Sequence, residues 1–474
     1  MPDNPIPFWR RSYRVKFELI LSVDGGDGQV SNVSLGQMVR PEISDLTSLG
    51  LSLSESKQLL AQLQQEIVTR QFEETTQLRR HCDRCGTKRA IKDFHGARFR
   101  SLLGDVELRV PRLRKCPCAA GSPDQTLANV AGRQSWVSPE LECVQSELAA
   151  MLPYARSAEL LHKLLPIGAG NGATTVRVRT LRVGQRLESE LAAAAVKPSV
   201  SHTPRPHVTT VGLDGGFVRH CDSDSAHSFE IIAGRVMADD DSQRSVAFVR
   251  TVDQHSRTRV QRAVAEHGRI SDSLMVFTDG DSRLRDLQLS VLPKATHVLD
   301  WYHLTRRLTV LSNVVSSKEA AAQLPSREHA RISEWVDSIK WRLWHGRPVT
   351  AIARLESLLN LLARPSLAGK SVVARARKLA TELRQYLQNN ADSLPDYGRR
   401  YRADERISTA FVESAVNQII DKRMSKSQQM RWSPETAHLM LQVRIRVIDG
   451  RLRQDFERWY PGFSANDATL QLSA

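Results

Sequence analysis

The spacing of apolar positions changes along the chain, and each change predicts a new element. Residues 13–23 are strand-like, whereas residues 24–50, rich in Gly, Ser and Asp, predict a loop. Apolar residues recur at helical spacing over 53–79 and predict a long helix. The stretch "FRSLLGDVELRVPRL" at 99–113 alternates around a Gly-Asp pair, which indicates a β-hairpin.

Beyond the hairpin the pattern passes from short helices to strands and back to helices. Three helical candidates fall within 138–193, and the proline-rich stretch 196–207 predicts a linker and the main domain boundary. Three apolar strands, a helix over 256–267 and two further strands then indicate an α/β fold with a mixed sheet. Residues 302–410 are mostly helical in pattern, and Glu413 opens the last long helical stretch.

Composition makes a polyanionic partner the main expectation. The chain has 474 residues, of which 41% are apolar and 25% charged, enough for roughly three domains. Its formal net charge of +15 predicts binding to DNA, RNA or an anionic membrane, and charge by itself does not choose among them. No run approaches the roughly 18 apolar residues of a membrane span, and Glu18 interrupts the N-terminal apolar run. We therefore expect a cytoplasmic protein without a signal peptide.

Four cysteines form two close pairs around the predicted hairpin. Cys82 and Cys85 are separated by two residues, and Cys116 and Cys118 by one. Two thiolate pairs joined by a hairpin predict a tetrahedral zinc site, although the tighter second pair also fits ordinary buried cysteines. The segment 79–115 holds 12 Lys and Arg against 4 Asp and Glu, a net charge of +8. It is typical of a zinc ribbon that holds nucleic acid, or of a solvated basic surface.

Three carboxylates suggest a second kind of metal site. Asp214 and Asp279 each end an apolar strand and precede glycine, so both could face a cation at one rim of the sheet. Glu413 could supply a third carboxylate from a helix, completing a two-ion site for Mg²⁺ or Mn²⁺ of the kind that catalyses phosphoryl transfer. Taken one at a time, each Asp-Gly pair is more often an ordinary turn.

Longer motifs around these carboxylates carry a family resemblance. They are "VGLDGGFVR" at Asp214, "VFTDGD" at Asp279, "HVLDWYHLTRRL" from 297 and "ESAVNQIIDKRMSKSQQMRW" from 413. From the cysteine region onward the chain resembles the DDE transposases of bacterial insertion sequences, most closely the ISKra4-type group related to the Mutator superfamily. The resemblance implies an RNase H-like catalytic domain with a helical insertion before Glu413, and a metal-binding triad of Asp214, Asp279 and Glu413.

The motif "DWYH" supplies a competitor for the second aspartate. Asp300 and His303 match the C/D-x-x-H element of Mutator-related transposases, about 20 residues after Asp279. Asp300 also ends an apolar strand, but Asp279 is preferred because it carries the Asp-Gly turn. His303 could contact a phosphate or a carboxylate near the site, or it could be a core histidine.

Candidate DNA contacts lie after Glu413 and in the third of the short helices. Asn417, one helical turn after Glu413, could bind a phosphate or a metal-bound water. Cations suited to phosphates and an aromatic suited to stacking follow: Lys422, Arg423, Lys426, Arg431 and Trp432. The alternative is a solvated amphipathic helix with a buried Trp. In the third helix, Arg177 and Arg179 predict a helix-turn-helix recognition helix, with a plain helical bundle as the alternative.

The sequence therefore predicts a DNA transposase that cuts and joins element ends and acts as a homo-oligomer associated with the nucleoid. The predicted organisation is an N-terminal strand and helix region (1–79), a zinc-ribbon-like module (80–120), a helical DNA-binding region (121–195), a linker (196–207), an RNase H-like core (208–305), an all-α insertion (306–410) and the catalytic Glu helix with the C-terminal end (411–474). The alternatives are a zinc-ribbon DNA-binding regulator on an inactive scaffold, a metal-dependent nuclease without strand transfer, and an RNA-directed protein. No P-loop motif occurs, so ATP use has no support.

Overall fold

A computed structural model describes most of the chain and divides it into two compact units. The described residues are 15–25, 30–40, 46, 49–82, 84–116, 118, 136–193, 205–222, 227–408, 410–425 and 430–463. One unit comprises residues 1–180 with 453–474, and the other residues 181–452. The division falls within a helix, whereas the sequence predicts it at 196–207; of that stretch, residues 196–204 lie outside the described residues.

The first unit contains two separate β-hairpins and several helices. Its elements are β1 (Val15–Asp24), β2 (Val30–Arg40), α1 (Leu53–Arg79), β3 (Ile91–Ser101), β4 (Gly104–Leu113), α2 (Pro139–Met151), α3 (Tyr154–Leu164), the start of α4 (Ala173–Ala193) and most of α16 (Leu452–Trp459). The sequence predicts a loop over 24–50, and this prediction is wrong for residues 30–40, which form β2. β2 pairs with β1 in antiparallel register from Asp24↔Val30 to Val15↔Arg40. Pairing with β1 supplies hydrogen bonds that the local pattern of β2 does not reveal.

The predicted long helix and the cysteine-flanked hairpin are both present. Ser52 and Glu55 form a reciprocal capping box that begins α1. Val68 and Phe72 of α1 pack against the buried face of β4, which alternates buried and exposed residues. The chain turns at residues 102–103, so Gly104 is the first residue of β4, with a φ of +122° that favours glycine.

A five-stranded mixed sheet forms the centre of the second unit. Its strands are β5 (His207–Arg219), β6 (Ser228–Ala238), β7 (Gln243–Val249), β8 (Arg269–Thr278) and β9 (Thr296–Leu299), in the order β7-β6-β5-β8-β9. The first three are antiparallel, and β8 and β9 run parallel to β5. Helices α5 (Ser256–His267) and α6 (Ser282–Val291) connect β7 to β8 and β8 to β9. The predicted mixed α/β architecture is thereby confirmed.

Between β9 and the Glu413 helix, every regular element among the described residues is helical. They are α7 (Trp301–Val315), α8 (Lys318–Gln323), α9 (Ser326–Trp344), α10 (Pro348–Leu362), α11 (Ser371–Asn389), α12 (Tyr397–Arg402) and short 3₁₀ turns at Pro365–Leu367 and Ala391–Ser393. They share one apolar core, which also includes Phe277, Val298 and Leu299 of the sheet. No described helix combines the length and the apolar character needed to cross a membrane.

The Glu413 region is one helical path with a wider turn in its middle. It comprises α13 (Ala410–Val416), a π-helical segment (Asn417–Asp421) and α14 (Lys422–Met424), and α15 (Pro434–Ile448) follows. A π turn disturbs the regular backbone ladder, so local carbonyls need other donors. The buried guanidinium of Arg444 supplies them, because it donates to the Gln418 and Ile419 carbonyls, the latter at 2.7 Å.

Candidate functional site

Three aspartates lie level with one another across neighbouring parallel strands. β5 pairs with β8 at Gly212↔Phe277, so Asp214 comes level with Asp279, two residues further along each strand. β8 pairs with β9 at Thr278↔Leu299, which in turn brings Asp300 level with Asp279. Asp279 and Asp300 follow their strands as expected. Asp214 does not end its strand, because β5 continues to Arg219 against β6.

His303, in the first turn of α7, lies over this row of aspartates. Its Nε2 is 3.5 Å from an Asp214 oxygen and 3.6 Å from an Asp300 oxygen. Burial alone would lower the pKa of His303, but contact with Asp214 and the charges of Asp300 and Asp279 outweigh burial and raise it. Burial raises the pKa of Asp279, and the nearby negative charge of Asp214 raises it further. The row is thus a concentration of negative charge that attracts a proton or a cation.

Glu413 lies on the helix that crosses the same face of β5. A Cβ atom added to Gly212 would lie 2.1 Å from Val412 Cγ2, and one added to Gly216 would lie 2.7 Å from Ile420 Cδ1. Asp214 shares the face of these two glycines and lies between them, because side chains alternate along a strand. Glu413 lies between the two contact points on the helix and is exposed. Because residues 212 and 216 are glycines without side chains, the Glu413 helix can approach Asp214 closely.

In the described part of the chain, two groups of side chains have their possible ligand atoms all within 4.8 Å of one another. The carboxylates of Asp214, Asp279 and Glu413 do not form such a group. A two-ion site spreads its ligands more widely than this, since its ions are about 3.5–4 Å apart. The structure thus brings Asp214 level with Asp279 and places the Glu413 helix over the same face, with the carboxylates apart.

Side chains of the helical region hold the ends of β8 and β9, a feature that the sequence did not reveal. The Tyr386 hydroxyl donates to the Asp279 carbonyl at 2.7 Å, and the Tyr397 hydroxyl donates to the Leu299 carbonyl at 2.8 Å. His297 bridges Ser393 and Thr278 at 2.6 and 3.0 Å. No short-range pattern signals these contacts, because about 100 residues separate the partners. They fix the backbone from which Asp279 and Asp300 project.

Several predicted DNA contacts are interior residues instead. Arg423 is 0% exposed, lies 5.2 Å from the ring centre of Trp432 and donates to the Met430 sulfur at 2.9 Å. Trp432 is itself only 4% exposed. Arg179, 5% exposed, donates to Gln145 at 2.8 Å and also to Asn171. The predicted DNA contacts of Arg423, Trp432 and Arg179 are therefore wrong, because internal packing already occupies these side chains.

The other predicted contacts divide by exposure. The side chains exposed to solvent are Asn417, Lys422, Arg431 and Arg177. Lys426 lies outside the described residues. Of the predicted DNA-contact residues that the structure describes, only these exposed side chains can contact a nucleic acid without rearrangement.

The four cysteines converge as predicted. The sulfurs of Cys82 and Cys118 are 3.5 Å apart, and those of Cys85 and Cys116 are 3.4 Å apart. A disulfide would require about 2.05 Å, and four sulfurs at tetrahedral angles around zinc, with Zn–S bonds of about 2.3 Å, would lie about 3.8 Å apart. All four sulfurs lie within 4.8 Å of one another. The cluster could therefore bind a metal such as zinc.

Charge is distributed unevenly over the cysteine cluster. A hydrogen bond with the Thr87 hydroxyl lowers the pKa of Cys85 to about 6. Contact with Cys116 and the neighbouring sulfurs raises the pKa of Cys118 to about 12. A thiolate at Cys85 discourages further ionisation nearby, so a divalent cation is needed to stabilise four thiolates together.

No family model and no curated protein matches this chain. The transposase family consequently remains an expectation from the motifs around Asp214, Asp279, Asp300 and Glu413.

Glu188, Asp253 and His438 form the second tight group of ligand-type side chains. The guanidinium of Arg259 already lies among them, 2.8 Å from Glu188 and 3.0 Å from Asp253. His438 Nε2 is 3.2 Å from Glu188, while its Nδ1 accepts the Val249 N–H at 3.3 Å. Because the Arg259 guanidinium bridges both carboxylates, this group is an ion-pair network that joins α4, α5 and α15 within the second unit.

Proposed function

We propose that this protein is a metal-dependent phosphoryl-transfer enzyme of the DDE transposase type, acting on DNA. The observation that carries the proposal is the level row of Asp214, Asp279 and Asp300 beneath the helix of Glu413. Carboxylates this close together, with the pKa of Asp279 raised by burial and by the charge of Asp214, suit a divalent cation such as Mg²⁺ or Mn²⁺.

Strand order supports the finer assignment of the fold. The order β7-β6-β5-β8-β9, with three antiparallel strands followed by two parallel ones, is the order expected for an RNase H-like sheet. In that arrangement the first strand and the fourth lie side by side, and here they carry Asp214 and precede Asp279. The all-helical stretch between β9 and Glu413 agrees with the insertion that the transposase resemblance implies.

Each residue has a distinct role in the proposed site. Asp214, Asp279 and Glu413 would hold two divalent ions, which supply activation of the attacking oxygen and stabilisation of the leaving oxygen. Asp300 begins α7 by accepting the Tyr302 N–H at 2.8 Å, and so sets the position of His303. His303 contacts the Asp214 carboxylate at 3.5 Å, and the Tyr386 hydroxyl holds the Asp279 carbonyl. In the cutting step a water oxygen would attack a DNA phosphorus and displace a 3′-oxygen, which leaves as a 3′-hydroxyl. In the joining step that 3′-hydroxyl would attack a target phosphorus and displace the 3′-oxygen of the target strand.

Charge and the cysteine cluster support DNA as the substrate. A net charge of +15 favours a polyphosphate. Exposed Lys422 and Arg431 follow Glu413 along the chain, and a zinc-bound Cys82–Cys118 module would present the basic segment 79–115. We further propose that a homo-oligomer of this protein holds two element ends together.

The deciding experiment uses duplexes made from the DNA that flanks the coding sequence, with MnCl₂. Wild-type protein should yield cut ends and joined products, and Asp214→Asn and Glu413→Gln should bind the same duplexes without cutting them. Glu435→Gln, an equivalent change at an exposed glutamate of α15, should behave as wild type. Cutting without joining would favour the nuclease alternative. Binding with no metal-dependent cutting would overturn the proposal in favour of the regulator.

A further inference from the structure

A cleft between two helices of the second unit opens beside the aspartate row. Its volume is about 290 Å³, and its lining residues are His303, Arg306, Arg307, Val310, Leu379, Glu382 and Leu383. The α7 residues follow at spacings of three and four, as do the α11 residues, so each helix turns one face to the cleft. A cleft of this size, near the lower end of the roughly 300–1,000 Å³ of small-molecule sites, admits one nucleotide and excludes a duplex.

The lining of the cleft combines cations with apolar side chains. Arg306 is exposed and forms no ion pair with any described residue. Arg307 lies 4.3 Å over the Tyr386 ring, which holds its guanidinium at the cleft wall. Among the described residues, Glu382 is the one carboxylate on the lining, against two guanidiniums. Val310, Leu379 and Leu383 form the apolar part of the lining, against which a base could pack.

Both helices that line the cleft also contact the proposed catalytic residues. His303 lines it and also lies 3.5 Å from Asp214. Tyr386, beneath Arg307, donates to the Asp279 carbonyl. A strand bound in the cleft therefore lies beside side chains that contact the aspartate row.

We propose that this cleft binds one unpaired nucleotide of the DNA strand, with its phosphate on Arg306 and Arg307 and its base against Val310, Leu379 and Leu383. The inference rests on the proposed function and adds to it a requirement for unpaired DNA next to the reacting phosphate. Base stacking on an apolar wall beside a cation is how single strands are held without sequence preference.

The test measures binding of fluorescein-labelled dT₁₂ by fluorescence anisotropy, at several NaCl concentrations and without added Mg²⁺ or Mn²⁺. Arg306→Ala should weaken binding about five- to tenfold and reduce the salt slope by about 0.7, the value for one phosphate contact on a single strand. Arg306→Lys should keep the slope. Val310→Trp, which fills the cleft from an exposed position without a charge change, should weaken binding with an unchanged slope.

Arg327→Ala is the matched control, because Arg327 is an exposed arginine of α9 and not a lining residue. Equal binding by Arg306→Ala and Arg327→Ala would overturn the proposal, as would wild-type affinity in Val310→Trp. An abasic 12-mer that binds as tightly as dT₁₂ would also overturn it, because the base would then be irrelevant. Metal-dependent cutting is measured separately, so its absence alongside Arg306-dependent dT₁₂ binding would reject the transposase proposal and keep the cleft as a nucleotide site.

Discussion

At the residue scale, burial separates two aspartates that the sequence left as competitors. Each accepts the N–H of the residue two positions on, Asp300 from Tyr302 at 2.8 Å and Asp279 from Asp281 at 2.9 Å. Asp300 is 0% exposed, and its other carboxylate oxygen lies 3.6 Å from His303. Asp279 is partly exposed, so an ion can reach its carboxylate from solvent, which favours Asp279 as the second aspartate of the proposed site.

Asp279→Asn should abolish Mn²⁺ binding at the aspartate row and reduce cutting by about 10²–10³-fold, since it removes a charge that acts directly on the reacting centre. Asp300→Asn should keep Mn²⁺ binding, because asparagine also serves as an N-cap. Calorimetric titration with MnCl₂ measures both. If Asp300→Asn lost the ion and Asp279→Asn retained it, the assignment of the two residues would be reversed.

Glu188 predicts a pH dependence of stability. Burial alone would raise its pKa, but the hydrogen bond with His438 and the charge of Arg259 lower it from 4.5 to about 2. A carboxylate whose folded pKa is depressed stabilises the fold above its unfolded pKa and loses that contribution as the pH falls. The contribution, at most about 3 kcal/mol and smaller where solvent screens the pair, should disappear progressively between about pH 5 and pH 2.

Urea unfolding at pH 6 and at pH 3.5 tests this expectation. Glu188→Gln should be less stable than wild type at pH 6, and the difference should shrink at pH 3.5. Glu435→Gln, at an exposed position, is the control and should follow wild type at both values. An undiminished difference at the lower pH would show that packing, not charge, accounts for the effect.

At the element scale, the position of the Glu413 helix depends on what the facing strand lacks. Gly212 and Gly216 have no side chains, so Val412 and Ile420 of the helix lie directly on the β5 backbone. The π-helical turn after α13 then requires Arg444 to satisfy its carbonyls. The helix that carries Glu413 is thus positioned by residues of two other elements, β5 and α15, and not by its own sequence alone.

Gly212→Ala should destabilise the protein by about 1–3 kcal/mol through overpacking, and it should impair cutting by displacing the Glu413 helix. Adding Val412→Ala should restore part of both losses, because the added methyl group would otherwise meet Val412. Gly215→Ala is the matched control: its nearest neighbour is the Glu230 carboxylate, at the end of a flexible side chain. Thermal unfolding and DNA-cutting assays on the three variants test this packing account. Equal effects at 212 and 215 would contradict the packing account.

At the scale of the whole molecule, two different metal chemistries are kept in separate units. The cysteine cluster lies in the first unit and the aspartate row in the second. Soft thiolates favour zinc, and hard carboxylates favour Mg²⁺ or Mn²⁺. Under the proposed function, one chain would combine a structural ion at the cysteines with exchangeable ions at the aspartate row.

Purified protein should contain one zinc ion per chain, measured by elemental mass spectrometry. Cys85→Ser should lose the ion and lower the thermal midpoint of the first unit, because zinc binding contributes directly to folding free energy. Cys221→Ser changes an exposed cysteine outside the cluster and should retain zinc. Full zinc content in Cys85→Ser would reject the four-cysteine site.

The sequence by itself determined the elements whose residues carry their own signal. Helix 256–267 and helix 53–79 have the predicted bounds, and the paired cysteines met as their spacing required. Local periodicity and turn chemistry are sufficient for such features. β2 was missed because a strand depends on its partner for hydrogen bonds, and the register that brings three aspartates level is a property of the sheet.

Only the tertiary structure decided which side chains are free to act. Arg179, Arg423 and Trp432 looked like DNA contacts in a linear list of cations and aromatics, yet each is buried against distant partners. The supports of Asp279 and Asp300 come from about 100 residues further along the chain. Burial and long-range hydrogen bonds arise from the packing of whole elements, and a local pattern does not encode that packing.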